Sequence, residues 1–228
     1  MKNVSQNFSA IELVAEKYLG LGGKRQQELE ELQKYSLYAR ATQLSVAGSE
    51  DADSLYLKSL RDFVKSSSIK ALHVSLGFCF HKGVYLGRMF PAAHSPQIKK
   101  LVVERLLRLK HFFECPIRIE NISHANLGLS QYMDSLRFLK EISEESALPL
   151  VLNYENLKQT YQEYGRELSR DLNILKTLPL AYVVIEDSEQ VAEVDAWGAE
   201  RPLLLRKGHV SQKGRVHAIS EQIYWGHP

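Results

Sequence analysis

Cysteine is scarce in this chain of 228 residues: Cys79 and Cys115 are its only two. Two thiols without C-x-x-C spacing exclude a cysteine-built zinc module and favour reduced side chains over a disulfide framework. An excess of either charge is missing too. Lys and Arg total 29 against 27 Asp and Glu, a net charge of +2, whereas a dedicated nucleic-acid binder is markedly basic. No apolar run reaches the ~18 residues that a membrane span requires. The opening MKNVSQNFSAIEL lacks the apolar stretch of a signal peptide. These absences lead to the expectation of a cytoplasmic protein with neither nucleic acid nor membrane as partner. Neither G-x-G-x-x-G nor G-x-x-x-x-G-K-[ST] follows any strand-like run, so no nucleotide-binding motif is in evidence.

Present instead is an alternation of short apolar runs with longer amphipathic ones. Strands are expected at AIELVA (10–15), SLYARATQLSV (36–46), IKALHVSLGF (69–78), PIRIEN (116–121), LPLVLNY (148–154) and LAYVVIED (180–187). RPLLLR (201–206) and RVHAIS (215–220) add two short candidates. Helical spacing falls between them at 22–35, 54–66, 96–113, 132–146 and 157–178, the last with a break at Gly165. Ser95 and Pro96 supply an N-cap and a first helical residue. Strand–helix alternation implies a parallel sheet with right-handed crossovers. The fold class expected is α/β, a single (β/α) TIM-type barrel over residues 1–228. Six clear strands leave open whether the barrel is complete.

In such folds function gathers at the C-terminal ends of the strands. Read in order, those ends present Glu16, Arg40, His73, Glu120 with Asn121, Asn153 with Asn156, and Glu186 with Asp187, and Asp195 follows in an expected loop. Histidine and carboxylates together suit a divalent transition metal. Each residue also has a plainer role. A strand histidine is more often hydrogen-bonded structure than ligand, Glu120 could pair with a neighbouring cation, and Asn153 and Asn156 could form turns. Glu186 and Asp187 could open the next helix. His81 and His94 are expected in loops, and the basic stretch 206–217 in a solvated one. The recurrence of polar groups at successive strand ends is the informative feature.

The ordered series IELVAEKYLGLGGKRQQELEELQKYSL, QLSVAGSEDADSLYLKSL, ALHVSLGF, PIRIENIS and PLVLNYEN resembles the multinuclear non-heme iron-dependent oxidases, whose best-known member works in methanobactin biosynthesis. The resemblance implies a TIM-type barrel holding two or three irons. It also implies oxidative modification of a ribosomally made precursor peptide, often presented by a small partner protein. On the matching positions it makes His73 and Glu120 metal ligands, with Asn153, Glu186 and Asp195 at three further ligand positions. The departures are substantial. Arg40 stands where the family has a strand-two histidine, Asn153 replaces an aspartate, Glu186 a histidine, and Trp197 the histidine two residues after Asp195. An arginine cannot deprotonate to bind a cation, so at most one iron is expected, or none.

Three functions follow from these features. One is a degenerate relative, a pseudoenzyme that uses the barrel to bind a precursor peptide or a small partner protein. Another is an active peptide-modifying oxidase with an altered one-metal site. The last is a sugar-isomerase-like barrel enzyme. Association into a homo- or hetero-oligomer is compatible with each, since a partner could cover exposed strand edges.

Overall fold

The computed structural model describes residues 9–20, 23–123, 135–186, 190–197 and 202–206, and the backbone of a strand at 216–220. Asp187, the expected helical start at 132–134 and the basic stretch at 207–215 lie outside the described residues.

The elements run β1 (Ala10–Val14), α1 (Lys24–Leu32), β2 (Ser36–Ala41), α2 (Ser54–Ser66), β3 (Leu72–Ser75), β4 (Gly77–His81), β5 (Val84–Pro91), α3 (Pro96–Phe112) and β6 (Ile117–Glu120). They continue with α4 (Ser135–Ser146), β7 (Leu150–Asn153), α5 (Tyr154–Glu163), α6 (Leu172–Thr177), β8 (Leu180–Ile185), α7 (Gln190–Asp195), β9 (Leu203–Leu205) and β10 (Val216–Ser220). Eight parallel strands close a barrel in the order β1-β10-β9-β8-β7-β6-β3-β2. Closure comes from β10, which pairs with β9 on one side and β1 on the other. Both short strand candidates at the C-terminal end are therefore barrel strands, and the question of completeness is answered by pairing.

Side chains alternate across each strand, so every second residue faces the lumen. Ile11, Leu13, Leu72, Val74, Ile117, Ile119, Leu203 and Leu205 belong to the large apolar cluster between sheet and helices. Their neighbours Ala10, Val151, Val184 and Leu204 form a separate, small cluster with Tyr38 and Tyr182 packed against it. This second cluster is the lumen's apolar part. Helix starts follow the sequence: Ser95 Oγ accepts from the Ile98 N–H at 3.3 Å, with Pro96 first in α3. The 157–178 run does break at Gly165, whose φ of 60° is left-handed; α5 ends before it and α6 follows.

Other stretches depart from expectation. The run at 36–46 is strand only as far as Ala41, the run at 69–78 is not one strand, and His81 is not in a loop. β3 ends at Ser75, and β4 and β5 form an antiparallel hairpin apart from the barrel. Lys82 and Gly83 turn it with φ of 50° and 72°. Two successive positive φ values match the twist of a two-residue hairpin, and glycine makes one of them cheap.

Candidate functional site

Glu12, Arg40, His73, Glu120 and Arg206 take the lumen parity and meet in one group. Glu12 sits between the outward Ile11 and Leu13 of β1. Arg40 lies on β2, His73 on β3, Glu120 at the end of β6, and Arg206 directly after β9. Glu12 and His73 are 0% exposed, Glu120 2% and Arg206 4%. Charges buried this deeply are tolerated only when paired and hydrogen-bonded.

Arg206 does the pairing. Its Nε donates to Glu12 Oε2 at 3.0 Å and its Nη2 to Glu12 Oε1 at 2.9 Å. The same Nη2 donates to Glu120 Oε2 at 3.0 Å, and Nη1 donates to Glu120 Oε1. One planar guanidinium thus holds all four oxygens of two carboxylates, a geometry that arginine provides and lysine cannot. His73 Nδ1 lies 2.8 Å from Glu12 Oε1, and Arg40 Nε stands 3.8 Å from Glu12 Oε2. Asn153 Nδ2 reaches Glu120 Oε1 at 3.4 Å.

The electrostatics follow from this array. Burial alone pushes the Glu12 carboxyl up, but Arg206, the His73 hydrogen bond and Arg40 outweigh it, and the acid is held well below the usual carboxylate range. Glu120 behaves alike: burial raises it, while Arg206 and then Arg40 bring it below its ordinary value. For Arg206 burial favours the neutral form, yet Glu12 and Glu120 reverse that and hold it charged. The cluster is a fixed ion array at neutral pH.

A second layer of the lumen explains the other charge in PIRIE. The Arg118 guanidinium stacks on Tyr38 and Tyr182, 5.0 and 4.9 Å from the ring centroids. The two phenols meet at 2.9 Å. Burial first, then the hydrogen bond with Tyr38, pushes the Tyr182 hydroxyl up to about 12. Arg118 and Glu120 do share a face, but they serve different layers.

The strand-end candidates divide. His73, Glu120 and Asn153 meet in the lumen, with Arg40 at the edge of the group. Arg40 approaches Glu12 rather than Glu120, whose two oxygens Arg206 already covers. Asn156 Nδ2 donates to the Asn121 carbonyl at 3.1 Å, a link between strand exits. Glu16 does not join the array. Its Oε1 accepts from the Thr42 and Gln43 N–H groups at 2.6 and 3.0 Å and from the Tyr56 hydroxyl at 2.7 Å, and so ties down the exit of β2. Glu186 follows β8, and its N–H donates to Gln190 Oε1 at 2.9 Å. Asp195 is not in a loop: it is the exposed last residue of α7, where Val191 and Val194 take the buried face.

Sequence reasoning missed the two residues that complete the array, Glu12 and Arg206. Both carried a signal. Each is a charge within or directly after a run of apolar strand residues, at the parity opposite its apolar neighbours, as Glu120 is.

These residues do not fit a metal centre. The guanidinium engages every oxygen of Glu12 and Glu120. Asn153 Oδ1 accepts from the Asn156 N–H at 3.0 Å, capping α5, so this side chain offers the lumen its NH2 donor rather than a ligand oxygen. His73 Nε2 is buried without a partner, but a single imidazole nitrogen is no site. Among the described residues no group of three or more His, Cys, Asp or Glu could hold a metal ion. No described helix is long and apolar enough to cross a membrane.

Comparison with known proteins adds sequence evidence. The family model described as "RiPP precursor modification enzyme MbnB/TglH/ChrH" matches residues 1–186. A UPF0276 protein of Alcanivorax borkumensis is 25% identical over 204 residues, covering 85% of this chain and 67% of the relative. One from Shewanella loihica is 24% identical over 194 residues, covering 83% and 69%. Among solved structures, D-psicose 3-epimerase from Clostridium cellulolyticum H10 aligns with a TM-score of 0.54 at 8% identity, over 93% of this chain and 74% of that one. A psychrophilic family 10 endo-beta-1,4-xylanase aligns at 0.54 and 9% identity, over 94% and 85%. Likeness at such identities concerns the barrel alone.

Proposed function

The chain belongs to the family of RiPP precursor modification enzymes MbnB/TglH/ChrH, and from that premise we propose that it binds a ribosomally made precursor peptide or its small carrier protein without itself carrying out iron-dependent oxidation. The observation behind this reading is the Arg206 guanidinium between Glu12 and Glu120. A fixed monocation stands where two carboxylates would otherwise attract a dication, so redox chemistry at a metal has no foothold in the lumen.

The surface beside the barrel suits a peptide. A cavity of about 340 Å³ opens between the loop after β2 and the β4–β5 hairpin, lined by Gln43, Ser45, Asp51, Tyr56 and Phe80 among others. Next to it the start of β5 exposes Val84 and Tyr85, 63% and 54% accessible, and α2 exposes Leu55. A two-stranded hairpin keeps free backbone edges, on which an extended peptide can add as a strand.

The test pairs binding with metal content. The chain is purified without oxygen or chelator, its metal is measured by plasma mass spectrometry, and short cysteine-bearing peptides encoded beside its gene are titrated by fluorescence anisotropy. Saturable peptide or carrier binding, negligible iron and an unchanged peptide mass are expected. Near-stoichiometric iron that is lost in His73→Ala, together with a peptide mass shift, would overturn the reading. That outcome is what the one-metal oxidase predicts, and it has one feature in its favour: the unpartnered His73 Nε2.

A further inference from the structure

We infer that the cavity beside the hairpin seats an arginine side chain of the bound peptide, held by the carboxylates of Glu50 and Asp53. The inference rests on the reading that the chain binds a peptide, and it names the chemistry which that peptide must carry.

Volume, charge and wall chemistry carry it together. At about 340 Å³ the cavity falls within the range of small-ligand pockets, about 300–1,000 Å³. Among the described residues three acids line it, Glu50, Asp51 and Asp53, and no lysine or arginine does. Asp51 is already paired, since Arg105 Nε and Arg108 Nη2 both donate to its Oδ1 at 2.9 Å. Glu50 and Asp53 meet only backbone donors. Glu50 Oε2 accepts from the Gly83 N–H, and Asp53 Oδ1 from the Leu55 and Tyr56 N–H groups, all at 2.9 Å. Neutral donors leave each acid its negative charge and a second oxygen. The acids do not close on one point, for no group of three among the described residues could hold a metal ion. A broad, planar cation can span two separated carboxylates where a compact one cannot, and a guanidinium presents five donors in such a fork. Tyr56 and Phe80 supply aromatic walls against which it can stack. The same hairpin already seats one guanidinium in that way, Arg88 at 4.6 Å from the Phe90 ring centroid. The fold also fixes the walls. Glu16 Oε1 accepts from the Gln43 N–H and the Tyr56 hydroxyl, Ser45 Oγ accepts from the Cys79 N–H at 2.9 Å, and the Ala47 N–H donates to the Gly77 carbonyl at 3.0 Å. Loop and hairpin are thereby tied together, and a preformed seat spares the cost of ordering it on binding.

Acetyl-Gly-Arg-Gly-amide is titrated into nitrogen-15-labelled protein, beside the same tripeptide with citrulline, which keeps the shape of arginine and lacks its charge. The arginine tripeptide is expected to shift the amide resonances of Ser45, Asp53 and Gly83 saturably, and added salt to weaken it. The citrulline tripeptide is expected to bind at least tenfold more weakly. So is the arginine tripeptide to the double variant Glu50→Gln, Asp53→Asn. Both substitutions keep the backbone hydrogen bonds: glutamine still accepts from Gly83, and asparagine caps α2 as well as aspartate does. The remaining resonances of the variant are expected to stay in place, which separates lost charge from lost fold. Equal binding of the citrulline tripeptide, shifts confined to other surfaces, or unchanged affinity in the folded double variant overturns the inference. The peptides encoded beside the gene are titrated in parallel. If they bind wild type and double variant alike, the peptide reading stands and the arginine seat falls. If they bind neither while the arginine tripeptide still shifts the cavity amides, the peptide reading falls and the seat stands.

Discussion

Arg206 and Glu12 are 194 residues apart in sequence and meet inside the barrel, Nε to Oε2 at 3.0 Å and Nη2 to Oε1 at 2.9 Å. The contact joins β1 to the residue after β9, with β10 between the two strands in the sheet. Barrel closure and the ion array are thus coupled: the array forms only if β9 and β1 reach their places. Breaking such a buried pair from one side leaves an uncompensated charge and costs about 3–5 kcal/mol. In chelator-containing buffer, Arg206→Met is expected to lose that much by urea denaturation. The triple variant Glu12→Gln, Arg206→Met, Glu120→Gln should recover most of it, because the two buried carboxylates and the cation between them are removed together; Arg40 loses Glu12 but keeps 17% side-chain exposure. A triple variant as unstable as Arg206→Met would show that shape, not charge, governs the lumen.

Acid should weaken the protein through the same carboxylates. Glu12 and Glu120 are held below the ordinary value of 4.5 in the folded chain. A depressed folded pKa contributes stability that is fully present above the unfolded value and is lost as pH falls toward the folded one. Stability is therefore expected to be flat in these groups near neutrality and to fall steeply below about pH 4.5. Melting temperatures between pH 3 and pH 6 should show a shallower fall in the triple variant than in wild type. Parallel curves would remove these two acids from the account of acid sensitivity.

How much was legible in sequence depends on whether a signal was local. Strand–helix alternation gave the barrel, and strand-end position gave His73 and Glu120. The residues Glu12 and Arg206 obeyed the same parity rule but lay in weaker contexts. Glu12 is in mid-strand rather than at an end, and Arg206 follows a strand of three residues, Leu203–Leu205. Which cation covers Glu120 is a matter of barrel closure, and no local pattern encodes it. Asp195 illustrates the reverse error. Its spacing from a strand suggested a loop, whereas Val191 and Val194 make a helix face that turns it outward. The hairpin was not readable, since Lys82-Gly83 is none of the dipeptides that mark a two-residue turn. The long apolar stretch before it also hid the strand break at Leu76.

Arg105 predicts a local effect. It is a buried cation of α3 that reaches the loop after β2, donating to the carbonyls of Val46 and Gly48 and, through Nε, to Asp51 at 2.9 Å. Hydrogen bonds from a charged group contribute about 1.5–3 kcal/mol. Arg105→Met is expected to lose stability in that range and to raise amide exchange over residues 46–53, the rim of the hairpin cavity. If peptide binds there, its affinity should fall while the lumen array persists. Unaltered exchange in 46–53 would mean that the loop is held by other contacts, such as those of Glu16.

Gly77 predicts an effect of shape alone. It opens β4 one residue after the barrel strand β3 ends at Ser75, and a Cβ there would collide with Phe90 O and Ile122 Cδ1 and come within 2.9 Å of Met89 Sδ. Ile122 and Met89 are side chains that can move, but Phe90 O is backbone of the paired strand β5. Relief requires the hairpin to separate from its partner strand or to tilt away from the barrel. Overpacking of this kind costs about 1–3 kcal/mol. Gly77→Ala is expected to lower stability by that amount and to loosen the hairpin, read as faster proteolysis between Lys82 and Arg88. The Tyr182 titration, which reports the lumen and not the hairpin, should stay near its raised midpoint of about 12. A shift of that midpoint in Gly77→Ala would mean that hairpin and lumen are mechanically linked, and that a peptide seated on the hairpin could be felt at Arg206.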